Sequence, residues 1–127
     1  KQGGACKAVS GMPMVQFSLV SMLEMVDEGV LSIERLVQLM CHNPATLFGI
    51  QERGYIREGM MADLVLVRRE ESPYTITSAD VLSKCGWSPR EGDALHWRVM
   101  STWVNGNLVW DGTKVDEDVH GEPLAFA

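Results

Sequence analysis

The sequence predicts an α+β fold in which helices come first and strands follow. Three observations carry this. Apolar residues recur at three- and four-residue steps between positions 14 and 40. The second half holds a continuous apolar run, Leu64-Val65-Leu66-Val67, and two β-rich runs joined by Asn105-Gly106. Between the halves lies Cys41-His42-Asn43-Pro44-Ala45-Thr46-Leu47-Phe48-Gly49-Ile50, where one pattern stops and the other begins. A chain of 127 residues can bury a real core. It is too short for a (β/α)8 barrel, which takes about 250.

Residues 1–10 are small and polar, with Gly3-Gly4 and no periodicity, and read as a loop. Gly11-Met12-Pro13 punctuates it, because Pro13 biases Met12 away from helix. Val15, Leu19, Met22, Leu23 and Val26 then form one stripe, predicting an amphipathic helix from Met14 to Asp27 or Glu28 that Gly29 stops. Ser32 caps a second helix with Ile33, Leu36, Val37 and Met40 as its apolar face. Asn43 reads as the N-cap of a third, short helical turn, with Pro44 at its first position and Gly49 closing it.

Tyr55-Ile56-Arg57 is a candidate short strand before the loop at Gly59. The run Leu64-Val65-Leu66-Val67 has the composition of a strand covered on both faces. The charges of Arg68-Arg69-Glu70-Glu71-Ser72-Pro73 are expected to end it in solvent, and Tyr74-Thr75-Ile76-Thr77 has strand composition again. From Ser78 to Gly92 runs a long irregular connection containing Lys84-Cys85-Gly86-Trp87-Ser88-Pro89. Such loops are more often functional, or packed against something, than idle. The clearest local signal is Val99 to Val104, then Asn105-Gly106, then Asn107 to Trp110: a hairpin whose type I′ turn needs positive φ at both central residues. Trp97, Trp103 and Trp110 supply its apolar area. Residues 116–127 form an acidic tail, expected to be loosely held although Leu124 and Phe126 could dock.

A net charge of -6 argues against nucleic-acid and anionic-membrane partners. No apolar run reaches the roughly 18 residues of a spanning helix, and no segment has signal-peptide order, so the cytoplasm is the expected location. Cys6, Cys41 and Cys85 are far apart and form no C-x-x-C pair, which favours reduced structural thiols over a disulfide framework or zinc knuckle. His42, His96 and His120 lie on separate segments with neither His-x-His nor helical i, i+4 spacing, so none is a metal-ligand candidate. His42 reads instead as a packed histidine at a helix end, Asp63 as an acceptor of backbone hydrogen bonds at a strand entry, and Trp87 and Trp97 as packing residues.

The order Asn43-Pro44-Ala45, Phe48-Gly49, Gly54, Gly59 and Ala62-Asp63-Leu64-Val65 resembles the C-terminal end of the metal-dependent amidohydrolase superfamily. Two further segments narrow the resemblance to dihydroorotases and their close relatives the allantoinases. One is Gly11-Met12-Pro13 leading into a helix with Gln16 and Leu19; the other is Lys84 to Pro89, then Gly92, then Val99, Thr102, Val104, Gly106 and Val109. Met14 stands where that family often has Gly, and Gln16 where it often has Glu. The match runs from Gly11 to Gly112.

The resemblance implies an α+β fragment: the C-terminal helices of an amidohydrolase (β/α)8 barrel, followed by strands of the small β-sandwich domain. Residues 1–52 would be the terminal barrel loop and helices, 53–115 the strands of the composite sandwich with its inserted loop, and 116–127 the tail. In the family the first sandwich strands come from the N-terminus of the full enzyme, so this sheet is expected to lack partners, and its open edges favour self-association.

The implied activity is zinc-dependent, reversible hydrolysis of the cyclic amide of dihydroorotate to N-carbamoyl-aspartate in pyrimidine biosynthesis, with a metal-bound hydroxide attacking the ring carbonyl. Family members carry this out with a His-x-His pair, a carboxylated lysine, two more histidines and an aspartate. None of these matches a residue here, and the family's Asp-His-Ala-Pro-His motif would lie upstream of Lys1. The fragment is therefore expected to be inactive and to bind no zinc of its own. Only Ser10 and Gly11 match the loop whose backbone contacts the substrate, where a Gly permits close approach, and a plain helix-entry loop is the alternative. Expected partners are the small-molecule substrate, the remainder of the parent enzyme and further copies in a homo-oligomer. The rival readings are an allantoinase or hydantoinase and a non-catalytic structural module.

Overall fold

The computed structural model describes residues 11–127, an α+β arrangement in which the first of the helices lies against a three-stranded antiparallel sheet. Helix α1 spans Val15–Asp27, as the periodicity predicts, and Gly29 follows it at φ 72. Its buried face is Phe17, Val20 and Leu23, whereas Val15, expected in the stripe, is 93% exposed. Leu23 belongs to both faces, and with Phe17 and Val20 it centres the buried one about 100° round the helix from a stripe counted from aliphatics.

Helix α2, Ile33–Val37, begins with the expected cap: the Ser32 hydroxyl accepts from the Arg35 N–H at 3.2 Å. Of its predicted face only Leu36 is buried; Ile33 and Val37 remain exposed. No break precedes Pro44. The chain passes from α2 through a π-helical turn, Gln38–His42, directly into α3, Asn43–Phe48. Asn43 is therefore not an N-cap, since its own φ of -64 and ψ of -44 are helical and its N–H donates to the Gln38 carbonyl. Proline explains the widened turn. It cannot donate, and its ring would collide with the carbonyl four residues back, so the helix slips to i→i+5 bonding just ahead of it. Gly49 ends α3 at φ 63, with its N–H donating to Thr46 and that of Ile50 to Ala45.

Tyr55-Ile56-Arg57 forms no strand; residues 51–60 are turns and bends. The Tyr55 ring instead stacks on His42, centroids 4.3 Å apart and 10° from parallel, with the Arg57 guanidinium 4.7 Å from it. His42 thus packs within the π turn rather than at a helix end.

Strand β1 runs Leu64–Thr75 and pairs with β2, Ala94–Val104, which pairs with β3, Asn107–Trp110. Two expectations fail on β1. The charged run does not end the strand, because the ladder to β2 continues past it: Arg68 opposes Arg98 and Tyr74 opposes Leu95. Nor are Leu64, Val65 and Leu66 covered on both faces, being 38%, 47% and 54% exposed on a strand with one partner among the described residues. Between Arg69 and Tyr74 the register shifts, so residues 70–73 bulge out opposite His96. The hairpin is as predicted, with Asn105 at φ 51 and Gly106 at φ 80.

Phe17, Val20, Ile76 and Leu95 form the core, surrounded by Tyr74, Val81, Trp97 and Val99. Burying Ile76 and Leu95, each 1% exposed, contributes roughly 1.5–3 kcal/mol apiece. The tail is held by its backbone: the Gln51 N–H donates to Ala125 at 2.9 Å and that of Ala127 to Gly49 at 2.8 Å. Leu124 and Phe126 stay largely exposed. Among the described residues no helix is long and apolar enough to cross a membrane.

Candidate functional site

Ser10 lies outside the described residues. Gly11 stands exposed at the entry to α1 with φ +80, and among the described residues a Cβ there would meet nothing within 4 Å. The positive φ by itself calls for glycine.

The segment leading into α1 is tied to the connection between β1 and β2. Gln16 uses both ends of its amide: Nε2 donates to the Asp80 carbonyl at 2.6 Å, and Oε1 accepts from the Leu82 N–H at 3.0 Å. The Ser88 hydroxyl donates to the Pro13 carbonyl at 3.4 Å. The connection is also organised within itself. A 3-10 turn, Ser78–Asp80, opens it, and the Asp80 carboxylate accepts from the Thr77 hydroxyl at 2.7 Å and the Thr77 N–H at 2.8 Å, which holds its pKa below the usual carboxylate value. Glu91 accepts from the Ser88 N–H, and the Ser88 hydroxyl from the Arg90 N–H. The hydrogen bond with the Ser83 hydroxyl lowers the pKa of the exposed Cys85 thiol, whereas burial raises that of Cys41. The long connection is therefore packed against α1, one of the two outcomes its length suggested.

Beside this contact is a cavity of about 700 Å³ whose lining includes Gln16, Phe17, Tyr74, Asp80, Arg98 and Trp110. The Arg98 guanidinium lies 3.4 Å from the centre of the Tyr74 ring. Among the described residues no histidine or cysteine lines the cavity.

Among the described residues the structure brings together one group with metal-ligand chemistry that sequence reading passed over: Glu24, Asp27 and His96, whose ligating atoms lie within 4.8 Å of one another. The i, i+3 spacing of the two carboxylates was visible; their meeting with a strand residue was not. Their donors are already in use. Glu24 Oε1 accepts from the His96 N–H at 2.5 Å and the Trp97 N–H at 3.1 Å, while Oε2 lies 3.2 Å from His96 Nδ1. Asp27 accepts from Arg69 Nε at 2.7 Å and the Trp97 indole at 3.2 Å. A cation here would sit beside the Arg69 guanidinium and displace two backbone donors, so the trio does not fit a catalytic metal. Asp63 does what its position suggested: it accepts from the Asn105 N–H at 2.8 Å and pairs with Arg53.

Residues 21–110 match the sequence profile of the Amidohydrolase family. A dihydroorotase from Halobacterium salinarum is 40% identical over 108 residues, covering 85% of this chain and 25% of its own. An allantoinase from Bacillus velezensis is 30% identical over 107 residues, 84% of this chain and 23% of its own. Among solved structures, the L-hydantoinase (dihydropyrimidinase) from Arthrobacter aurescens superimposes with a TM-score of 0.75 at 32% identity, covering 87% of this chain and 25% of that one. The chain spans about a quarter of the length of these relatives.

Proposed function

The chain belongs to the amidohydrolase family, and from that premise we propose that it is the C-terminal part of a dihydroorotase. The parent would hydrolyse the cyclic amide of dihydroorotate to N-carbamoyl-aspartate, and close it again, in cytoplasmic pyrimidine biosynthesis. The observation that supports this most directly is the 40% identity to a dihydroorotase across 85% of the chain. In this reading α1 to α3 belong to the end of a (β/α)8 barrel and the three strands to a small β-sandwich completed by other parts of the parent. The zinc that polarises the substrate carbonyl and activates water would be held by the parent's other residues, because Glu24, Asp27 and His96 are committed to joining α1 to β2.

What this chain contributes is positioning. Ser10 and Gly11 are the proposed substrate contacts, and among the described residues nothing crowds Gly11, where a glycine lets a ligand approach the backbone. A second reading, a hydantoinase or allantoinase, is favoured by the superposition on an L-hydantoinase at a TM-score of 0.75.

The test is dihydroorotate hydrolysis, followed by ultraviolet absorbance with zinc supplied, on the full-length parent beside residues 1–127 alone. Activity in the parent, with neither turnover nor stoichiometric zinc in the fragment, is the expected result. A parent that is silent on dihydroorotate but turns over allantoin or hydantoin supports the second reading. Turnover by the fragment would overturn the assignment of chemistry to the rest of the parent.

A further inference from the structure

Among the described residues nothing packs on Gly11, where a Cβ would meet no atom within 4 Å, and Met12 beside it is 64% exposed. The described contacts that tie down the segment after it come from residues 78–93. The Gln16 amide clamps that connection from both directions, at the Asp80 carbonyl and the Leu82 N–H. Only a side chain with a donor and an acceptor can do this, since one partner is a carbonyl and the other an N–H. A second anchor lies closer to the turn. Ser88, 5% exposed, is the one buried polar residue among those described, and its hydroxyl reaches the carbonyl of Pro13, two residues from Gly11. The hydroxyl is itself oriented by the Arg90 N–H at 3.2 Å. A buried hydroxyl kept in place by a hydrogen bond to another segment is costly to lose.

We propose that Gln16 and Ser88 are positioning residues for substrate binding: through them the β1–β2 connection sets where the Gly11 turn stands relative to the substrate. The proposal rests on the reading that Gly11 meets a cyclic amide. Neither side chain touches substrate, and both act through the backbone of residues 11–13. A turn displaced by a fraction of an ångström binds the ring less well while the reacting groups elsewhere are untouched, so the effect falls on KM rather than kcat.

The test is steady-state kinetics on the full-length protein, using whichever of dihydroorotate, allantoin or hydantoin the wild type turns over. Gln16→Ala and Ser88→Ala are each expected to raise KM roughly tenfold, with kcat within about twofold and zinc content unchanged. Leu36→Ala, in the buried face of α2, serves as the control for lost stability alone and should leave KM unchanged. An active wild type with unchanged KM in the Gln16 and Ser88 variants, or a rise matched by Leu36→Ala, overturns this proposal alone. A wild type that hydrolyses none of the three cyclic amides overturns the functional reading and this proposal with it.

Discussion

The carboxylate of Glu24 on α1 takes the backbone N–H of His96 on β2 at 2.5 Å, and its second oxygen faces the His96 ring nitrogen at 3.2 Å. The contact exists because β1 bulges over residues 70–73 opposite His96, so the helix satisfies what the ladder there does not. The same carboxylate takes the Trp97 N–H at 3.1 Å. Glu24→Ala should therefore destabilise the protein by about 2–3 kcal/mol, because it strands partly buried backbone donors. Glu24→Gln, which keeps one acceptor oxygen, should cost less. Urea unfolding midpoints decide this, and an alanine variant as stable as wild type would show that water replaces the carboxylate freely.

Gly54 is the most closely hemmed-in glycine among the described residues. A Cβ there would lie 2.5 Å from Ala45 Cβ and 2.9 Å from the Cys41 carbonyl, at φ +86. Gly54→Ala combines left-handed strain with overpacking against α3 and should cost about 2–5 kcal/mol. Gly59→Ala, at φ +83 with nothing within 4 Å, carries the strain alone and should cost about 1–2 kcal/mol. Thermal melts of the two variants side by side separate the terms. Equal losses would mean that the neighbours of Gly54 yield.

The turn after β3 should titrate unusually low. The Asp111 carboxylate accepts from the Thr113 hydroxyl and from the N–H groups of Thr113 and Lys114, which lower its pKa from the ordinary 3.8 to about 2. Since the folded value is depressed, the contribution of this turn is complete above the ordinary value and is lost as pH falls from 3.8 towards about 2. Carboxyl-carbon NMR should show the low midpoint, and Thr113→Val, which removes the largest cause, should move it upward. A midpoint unchanged by Thr113→Val would count against the hydroxyl.

Leu64, Val65 and Leu66 lie exposed on an edge strand, whereas Arg68 to Glu71 guard its other half with charge. Residues 1–127 produced alone should self-associate with rising concentration, and Val65→Lys should return them to a monomer in sedimentation velocity. Equal association by both would place the contact elsewhere.

What could be read from the sequence shares one property: its cause lies within a few residues. Ser32 caps its helix, Gly29 and Gly49 end theirs, and Asn105-Gly106 turns the hairpin as predicted, because each needs only local geometry. The misreadings have distant causes. The charged residues 68–71 look like the end of a strand, yet the ladder from β2 carries the strand through them. Asn43 looks like a cap, yet the helix runs on, widening ahead of Pro44 instead of breaking. Tyr55 and its neighbours have strand composition, yet the ring finds His42.

By itself the sequence determined the order of helices before strands, the turns between them and the pattern of residues that marks the amidohydrolase family, since spacing, capping and turn chemistry are written in neighbouring positions. Tertiary structure alone decided which face of α1 is buried, that Glu24 would meet His96 and that Gln16 would clamp Asp80 and Leu82. The physical reason is that a hydrogen bond across 64 to 72 residues depends on where two elements are brought to rest, and no local preference encodes that.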